Sequence, residues 1–185
     1  MAGYRRPYKE NVKLQYVCKF VTDLAVVITL AYFLVANLCD RTIIRGNSMS
    51  PTMENEEILL INKFEYAFNS PERYDIIVFE TAGINTSDTY VKRVIGLPGE
   101  TVLIENGKVY IDGRLLEELS DMDILVAGLA TSEVVLGEDE YFVLGDNANS
   151  SEDSRFANVG NIKKEDIIGT VWLRVSPMNR IGIVK

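Results

Sequence analysis

From Phe20 to Leu38 the chain reads FVTDLAVVITLAYFLVANL, a run of 19 residues in which Asp23 is the only charge. As an α-helix this run would be about 28 Å long, close to the roughly 30 Å hydrocarbon core of a bilayer. It is apolar all round, without the polar face that a core helix of a modest domain keeps toward water. Asp23 lies one turn from the N-terminal end of the run, within reach of the interface. A cleaved secretory signal would end in an Ala-x-Ala-like site, whereas this run ends Val35-Ala36-Asn37-Leu38-Cys39-Asp40. Leu38 before Cys39 also fits a lipoprotein-type site poorly. The expectation is a retained membrane anchor at residues 20–38.

Charge divides at the same place. Residues 1–39 hold Arg5, Arg6, Lys9, Lys13 and Lys19 against Glu10 and Asp23, a net +3, which leaves −11 for the rest of a chain whose total is −8. The basic segment 1–19 suits an anionic membrane surface, and the positive-inside rule puts it in the cytoplasm. Residues 39–185 are then an extracytoplasmic domain, with 113–138 as a small insertion. A body so acidic repels a phosphate backbone, so nucleic acid is not an expected partner.

The chain has 185 residues, enough for one domain with a sizeable core, and no histidine. Ser-His-Asp and Cys-His catalysis are excluded, as are metal sites that need imidazole. The two cysteines, Cys18 and Cys39, cannot form a thiolate cage, so no metal or cofactor is expected. About 31 Å apart along a helix, they cannot bridge either. Any hydrolase here needs another base.

Beyond Asp40 short apolar runs alternate with turn residues. Strands are expected at Thr42–Arg45, Glu57–Asn62, Asp75–Glu80, Thr89–Ile95, Thr101–Ile104, Lys108–Ile111, Glu140–Leu144 and Ile167–Val175. Asn106-Gly107 between two of them is a strong hairpin signal. Only Leu115–Val126 hints at a helix or an irregular insertion. The body reads as an all-β, mostly antiparallel, barrel-like domain.

Three stretches carry chemistry. In Arg45-Gly46-Asn47-Ser48-Met49-Ser50-Pro51, glycine and proline around a serine turn the backbone sharply and leave hydroxyl and amides accessible. An ordinary hydroxyl-bearing loop would look the same. In Tyr90–Ile95, strand alternation sets Lys92 on the face of Tyr90 and Val94, with Arg93 on the other. A lysine held in apolar surroundings loses its proton more readily, as a general base must; an edge-strand solubiliser is the rival reading. In Gly145–Arg155, a polar loop follows an apolar strand; Asp153 and Arg155 are spaced to pair, and a serine hydroxyl is available to hold a neighbouring lysine.

Ser48–Thr52, Arg73–Phe79, Lys92–Glu100 and Gly145–Arg155, in this order and behind an N-terminal anchor, resemble the signature boxes of bacterial type I signal peptidases, in their compact Gram-positive-like form. The resemblance covers nearly the whole chain. It implies a membrane-tethered β-fold in which Ser48 is the nucleophile and neutral Lys92 its base. The Ser48 amide would serve the oxyanion, and Ser151 would position the lysine. Asp153–Arg155 and Arg93–Asp146 would be bracing salt bridges. Substrates would be the signal peptides of secreted preproteins, with small residues one and three positions before the cut; membrane lipid and the secretion translocase would be partners. Met49 and Pro51 would bind substrate, on apolar surface that approaches the bilayer. Two positions depart from many relatives. Gly46 stands where some carry a hydroxyl as a second oxyanion donor, and Ala148 where many carry arginine.

A self-cleaving repressor protease shares the Gly-x-Ser-Met-like turn and a downstream lysine, but has a DNA-binding domain where this chain has its apolar run. A non-catalytic assembly chaperone of the same fold, for instance in pilus formation, would lack the serine or the lysine. A tethered β-domain that only binds a partner would cleave nothing.

Overall fold

The structure is a computed structural model. It describes residues 12–81 and 89–184, and divides after Leu38 into two units. The basic positions Arg5, Arg6 and Lys9 lie outside the described residues.

The first unit is helix α1, Val12–Leu38. As an α-helix it pairs its interior backbone groups within itself, while Leu, Ala and the other apolar residues of this stretch add no polar group that needs water. Its threonines satisfy their own hydroxyls: Thr22 Oγ1 donates to the carbonyls of Cys18 and Lys19, and Thr29 Oγ1 to that of Ala25. The helix starts earlier than the expected anchor, and its most apolar stretch is Gln15–Phe33, long enough to cross a membrane. Asp23 falls near the middle of that stretch rather than one turn from its end. Cys39 begins a strand instead of ending the helix, and Cys18 is a free, exposed thiol.

The second unit is almost entirely β. Its main sheet joins β1 (Cys39–Ile43), β2 (Ile58–Asn62), β3 (Ile76–Glu80), β4 (Thr89–Gly96), β9 (Glu140–Leu144), β10 (Ile162–Lys163), β11 (Ile167–Ser176) and β12 (Gly182–Ile183). The order is β1-β2-β11-β3-β4-β9-β10, with β12 beside β11. A smaller sheet orders β7 (Arg114–Leu115), β6 (Lys108–Ile111), β5 (Thr101–Glu105) and β8 (Val134–Val135) as β7-β6-β5-β8. Every pairing is antiparallel. The main sheet is open, since no pairing joins β1 to β10 among the described residues. Register shifts in β11 and near the end of β4 bend it strongly.

The Asn106-Gly107 turn forms as expected, with both residues at positive φ (51° and 76°). The segment 113–138 is less detached than an insertion. It supplies β7 and β8, the outer strands of the smaller sheet, between short 3₁₀ turns. Its Val126 carbonyl accepts from Arg155, and the Leu129 amide donates to the Arg155 carbonyl, so it is stitched to the loop after β9.

Three apolar clusters hold the domain. One spans the smaller sheet and β9, through Val102, Ile104, Val109 and Phe142. A second lies under β1 and β2, around Met49, Met53, Leu59, Ile61 and Val78. The third joins β3, β4 and β9 through Ile77, Phe79, Val94 and Val143. Lys92 therefore emerges from a strand covered on both faces.

Candidate active site

Gly46 adopts φ +84°, in the left-handed region that glycine enters without strain, and its amide donates to Asn55 Oδ1. This starts a tight turn, continued by Asn47 O accepting from the Ser50 amide and Met49 O from the Met53 amide. The turn presents Ser48 half-buried, its own amide without an acceptor among the described residues. A hydroxyl-bearing residue at position 46 would have to enter the left-handed region, so glycine is the natural occupant of this turn.

Lys92 reaches the serine from the middle of β4. Its Nζ donates to Ser48 Oγ at 2.8 Å and lies 5.9 Å from the centre of the Tyr90 ring. The side chain is 4% exposed, and burial pushes its pKa down from 10.5 to about 8. Asp153 and Glu152 act in the opposite direction, by attraction for the ammonium, without cancelling the effect. The face-sharing expected of Tyr90, Lys92 and Val94 holds. The edge-solubiliser reading fails because the Lys92 side chain is buried against Ser48, even though β9 pairs with β4 only from Arg93 onward.

Two ion pairs frame this dyad. Arg93 makes a bidentate contact with Asp146 (2.7 and 2.7 Å) and donates to the Tyr74 carbonyl. Arg155 and Asp153 are 1% and 0% exposed, paired at 2.7 and 2.9 Å. Asp153 Oδ2 also accepts from the Gly145 amide, and Arg155 donates to the carbonyls of Ala148 and Val126. Ala148 is buried in the first cluster. Both pairs expected from the sequence are formed.

Other expected residues stand differently. Ser151 Oγ is buried without a hydrogen-bond partner, so the bond that would position Lys92 is not made in this structure. Met49 turns inward into the second cluster, 1% exposed, because its side chain completes the packing under β1 and β2. It is no part of an apolar surface, although it borders the cleft. Pro51 is exposed and lies outside the cleft lining.

Three contributors escaped the sequence reading. Gly145 packs so closely that a Cβ there would lie 2.4 Å from the Ser48 carbonyl oxygen. The Asn147 amide donates to that same oxygen at 3.0 Å, a main-chain bond with no sequence signature. Glu57, buried behind the turn, is 2.9 Å from both Arg174 and Arg180, while Arg174 donates to the Thr52 carbonyl. β11 and the short turn after it thus brace the turn that carries the serine.

Ser48 and Lys92 open onto a cleft of about 480 Å³. One wall is β1, whose second edge is unpaired. Ile44 exchanges hydrogen bonds with Glu57 and Glu56, so by alternation the peptide groups of Arg41 and Ile43 face the open edge. The other wall is Thr89–Lys92, paired to β3 but not to β9, which joins β4 from Arg93 onward. Chemically this is a hydroxyl next to a desolvated amine, between two free strand edges. No cluster of three or more metal-ligating side chains occurs among the described residues.

The family described as "Signal peptidase, peptidase S26" matches residues 17–176. The chain is 35% identical over 147 residues to a probable signal peptidase I-2 of Synechocystis sp., covering 76% of this chain and 65% of that protein. It is 39% identical over 145 residues to signal peptidase I of Leptolyngbya laminosa (75% and 70%). Against signal peptidase I P of Bacillus subtilis subsp. natto it is 32% identical over 186 residues, or 96% of this chain and 98% of the relative. A solved signal peptidase I from Enterococcus faecalis V583 shares 33% identity, with a TM-score of 0.44, over 55% of this chain and 97% of that one. The chain belongs to the signal peptidase family S26, as a serine protease of the type I class.

Proposed function

We propose that this protein removes signal peptides from secreted preproteins by a Ser48–Lys92 dyad, working outside the cytoplasmic membrane to which α1 tethers it. The observation that carries the reading is the 2.8 Å contact between Lys92 Nζ and Ser48 Oγ, made by an amine that burial has brought to a pKa of about 8. At pH 7 about one lysine in ten is then neutral, against a few in ten thousand at the unperturbed value.

Neutral Lys92 takes the Ser48 proton as Oγ attacks the scissile carbonyl carbon, and the Ser48 amide donates to the oxyanion. The ammonium then protonates the leaving amine, leaving an acyl-enzyme on Ser48. A water deprotonated by Lys92 attacks the ester carbonyl, and Ser48 Oγ departs with the proton. Ser151, beside Gly145, stands ready to accept from the lysine as its proton comes and goes. Asp153–Arg155 and Arg93–Asp146 keep the strand and the loop from drifting apart.

An extended peptide fits the cleft by adding to the free edge of β1. Its side chains then alternate. Those on the face of the buried Thr42 and Ile44 point into the protein two residues apart, which suits small side chains one and three positions before the cut. The basic N-terminal segment supports a cytoplasmic N-terminus. Delivery of the substrate by the secretion translocase and contact with membrane lipid belong to the same proposal.

The test is Lys92→Ala, assayed on a preprotein whose signal ends Ala-x-Ala, beside a folding control by circular dichroism. A folded variant with no cleavage supports the dyad; a folded variant near the wild-type rate removes Lys92 from the mechanism.

A further inference from the structure

The turn that carries Ser48 is held at both ends. Toward its start, main-chain amides take the carbonyls of Asn47, Ser48 and Met49. Toward its end, the Thr52 carbonyl accepts from a side chain, Arg174 Nη2, at 2.6 Å. Arg174 comes from β11 and is itself held, its Nε 2.9 Å from Glu57 Oε2. Arg180, on the short turn after β11, lies 2.9 Å from the other oxygen of Glu57 and 2.8 Å from Glu54. Glu57 is 2% exposed and neither of its oxygens is hydrogen-bonded, so charge alone holds it between the two guanidinium groups. Two carboxylates and two guanidinium groups thus sit behind the nucleophile, and none of them lines the cleft.

Stability is a weak reason for such a group, because apolar residues in place of a buried ion cluster often serve the fold as well or better. A fixed turn is a stronger reason, since a displacement of about 1 Å at the reacting atoms costs about a hundredfold in rate. The origin of the second arginine matters too. The family matches residues 17–176, and Arg180 lies beyond that match. Its segment is secured by the pairing of β12 with β11 and by Val184, which is buried in the second cluster with Met49 and Met53. We infer that Arg174 and Arg180 are positioning residues for Ser48: together they fix Glu57, Glu57 fixes Arg174, and Arg174 fixes the turn. Residues 177–184 thereby belong to the construction of the active site. The inference rests on the proposed peptidase reading and adds to it the residues that hold the nucleophile without touching substrate.

The experiment uses the full chain in non-ionic detergent and one preprotein whose signal ends Ala-x-Ala, with rates expressed per folded molecule. Arg174→Met should lower kcat by about ten- to a hundredfold and leave KM within about twofold, because the cleft walls are untouched. Glu57→Gln and Arg180→Met should each lower kcat by about three- to tenfold. Added to Arg174→Met, Glu57→Gln should change kcat by less than about twofold, because Glu57 acts on the turn only through Arg174. Val109→Ala, which opens the first cluster rather than the second, is the control: it should lose stability and keep kcat. A folded Arg174→Met with wild-type kcat overturns the inference while leaving the peptidase intact, as does an equal loss of kcat in Val109→Ala. Effects that simply multiply in the double variant overturn the link from Glu57 to Arg174. Absence of cleavage by the wild-type chain overturns the peptidase reading, and the positioning role with it. If Arg174→Met fails to fold, Arg180→Met decides, since Arg180 is 30% exposed and its loss is the milder change.

Discussion

Gly145 lies against the carbonyl of Ser48 so closely that a methyl group on its Cα would sit 2.4 Å from that oxygen and 2.3 Å from Ser151 Oγ. The Ser48 oxygen is main chain and Ser151 Cβ lies at 2.6 Å, so rotating the hydroxyl away does not relieve the clash, and the loop after β9 or the serine turn must move. Gly145→Ala should therefore lower kcat/KM by about 10²-fold, the scale of a 1 Å misplacement of reacting groups. The stability loss should be smaller, about 1–3 kcal/mol. Steady-state kinetics beside a denaturant melt separates the two; an unchanged rate would show that the contact does not set the geometry of the nucleophile.

The pH dependence follows from Lys92. The base works only without its proton, so kcat/KM should rise with pH and level off above about 8, where burial has brought its pKa. Lys92→Arg should be inactive across the whole range, because guanidinium keeps its proton. A profile flat between pH 6 and 9 would count against the lysine as base.

The same burial costs stability. The folded pKa is about 8 and the free value 10.5, so below pH 8 the lysine is charged in both states and the full desolvation cost is present. As pH rises from 8 toward 10.5 the folded protein has already lost the proton while the unfolded chain still holds it, and the cost fades. Lys92→Met should gain about 1–3 kcal/mol at pH 7, and much of that gain should vanish near pH 10. Urea melts at the two pH values check it.

Asp153→Asn separates two roles of one carboxylate. It leaves Arg155, 1% exposed, without its counter-charge, which should cost about 3–5 kcal/mol. Asp153 is also the strongest attraction holding the proton on Lys92. In whatever folds, the rise of kcat/KM should therefore move to lower pH. A melt and a pH profile on the same preparation read both effects.

Much of this was legible in the chain. Lys108–Ile111 and Glu140–Leu144 form strands with the expected bounds, because their apolar periodicity is closed by turn residues on both sides. Asp112-Gly113 turns like Asn106-Gly107, with φ of 50° and 74°, and pairs β6 with β7; the signal is present, but its second strand is only two residues long. β8, β10 and β12 are equally short, below the length at which alternation can be read. The anchor was readable as a run but not to its ends, since Gln15–Lys19 is helical without being wholly apolar.

In the site, Ser48 and Lys92 could be read because their side chains carry the chemistry. Gly145 and Asn147 could not, because they act through main-chain approach to Ser48, which any polar loop offers on paper. Glu57 and Arg174 meet across more than a hundred residues of sequence, and neither sits in a recognisable pattern. Met49 was ambiguous for a related reason. An apolar residue beside a nucleophile reads equally well as substrate surface or as core, and only the packing under β1 decides.

The most direct measurement of the central claim is cleavage of one Ala-x-Ala preprotein by the detergent-solubilised full chain and by Ser48→Ala, prepared side by side. The account predicts a cut at that site by the wild-type chain alone. Equal cutting by both, or none by either on a substrate that a known signal peptidase processes, would contradict it.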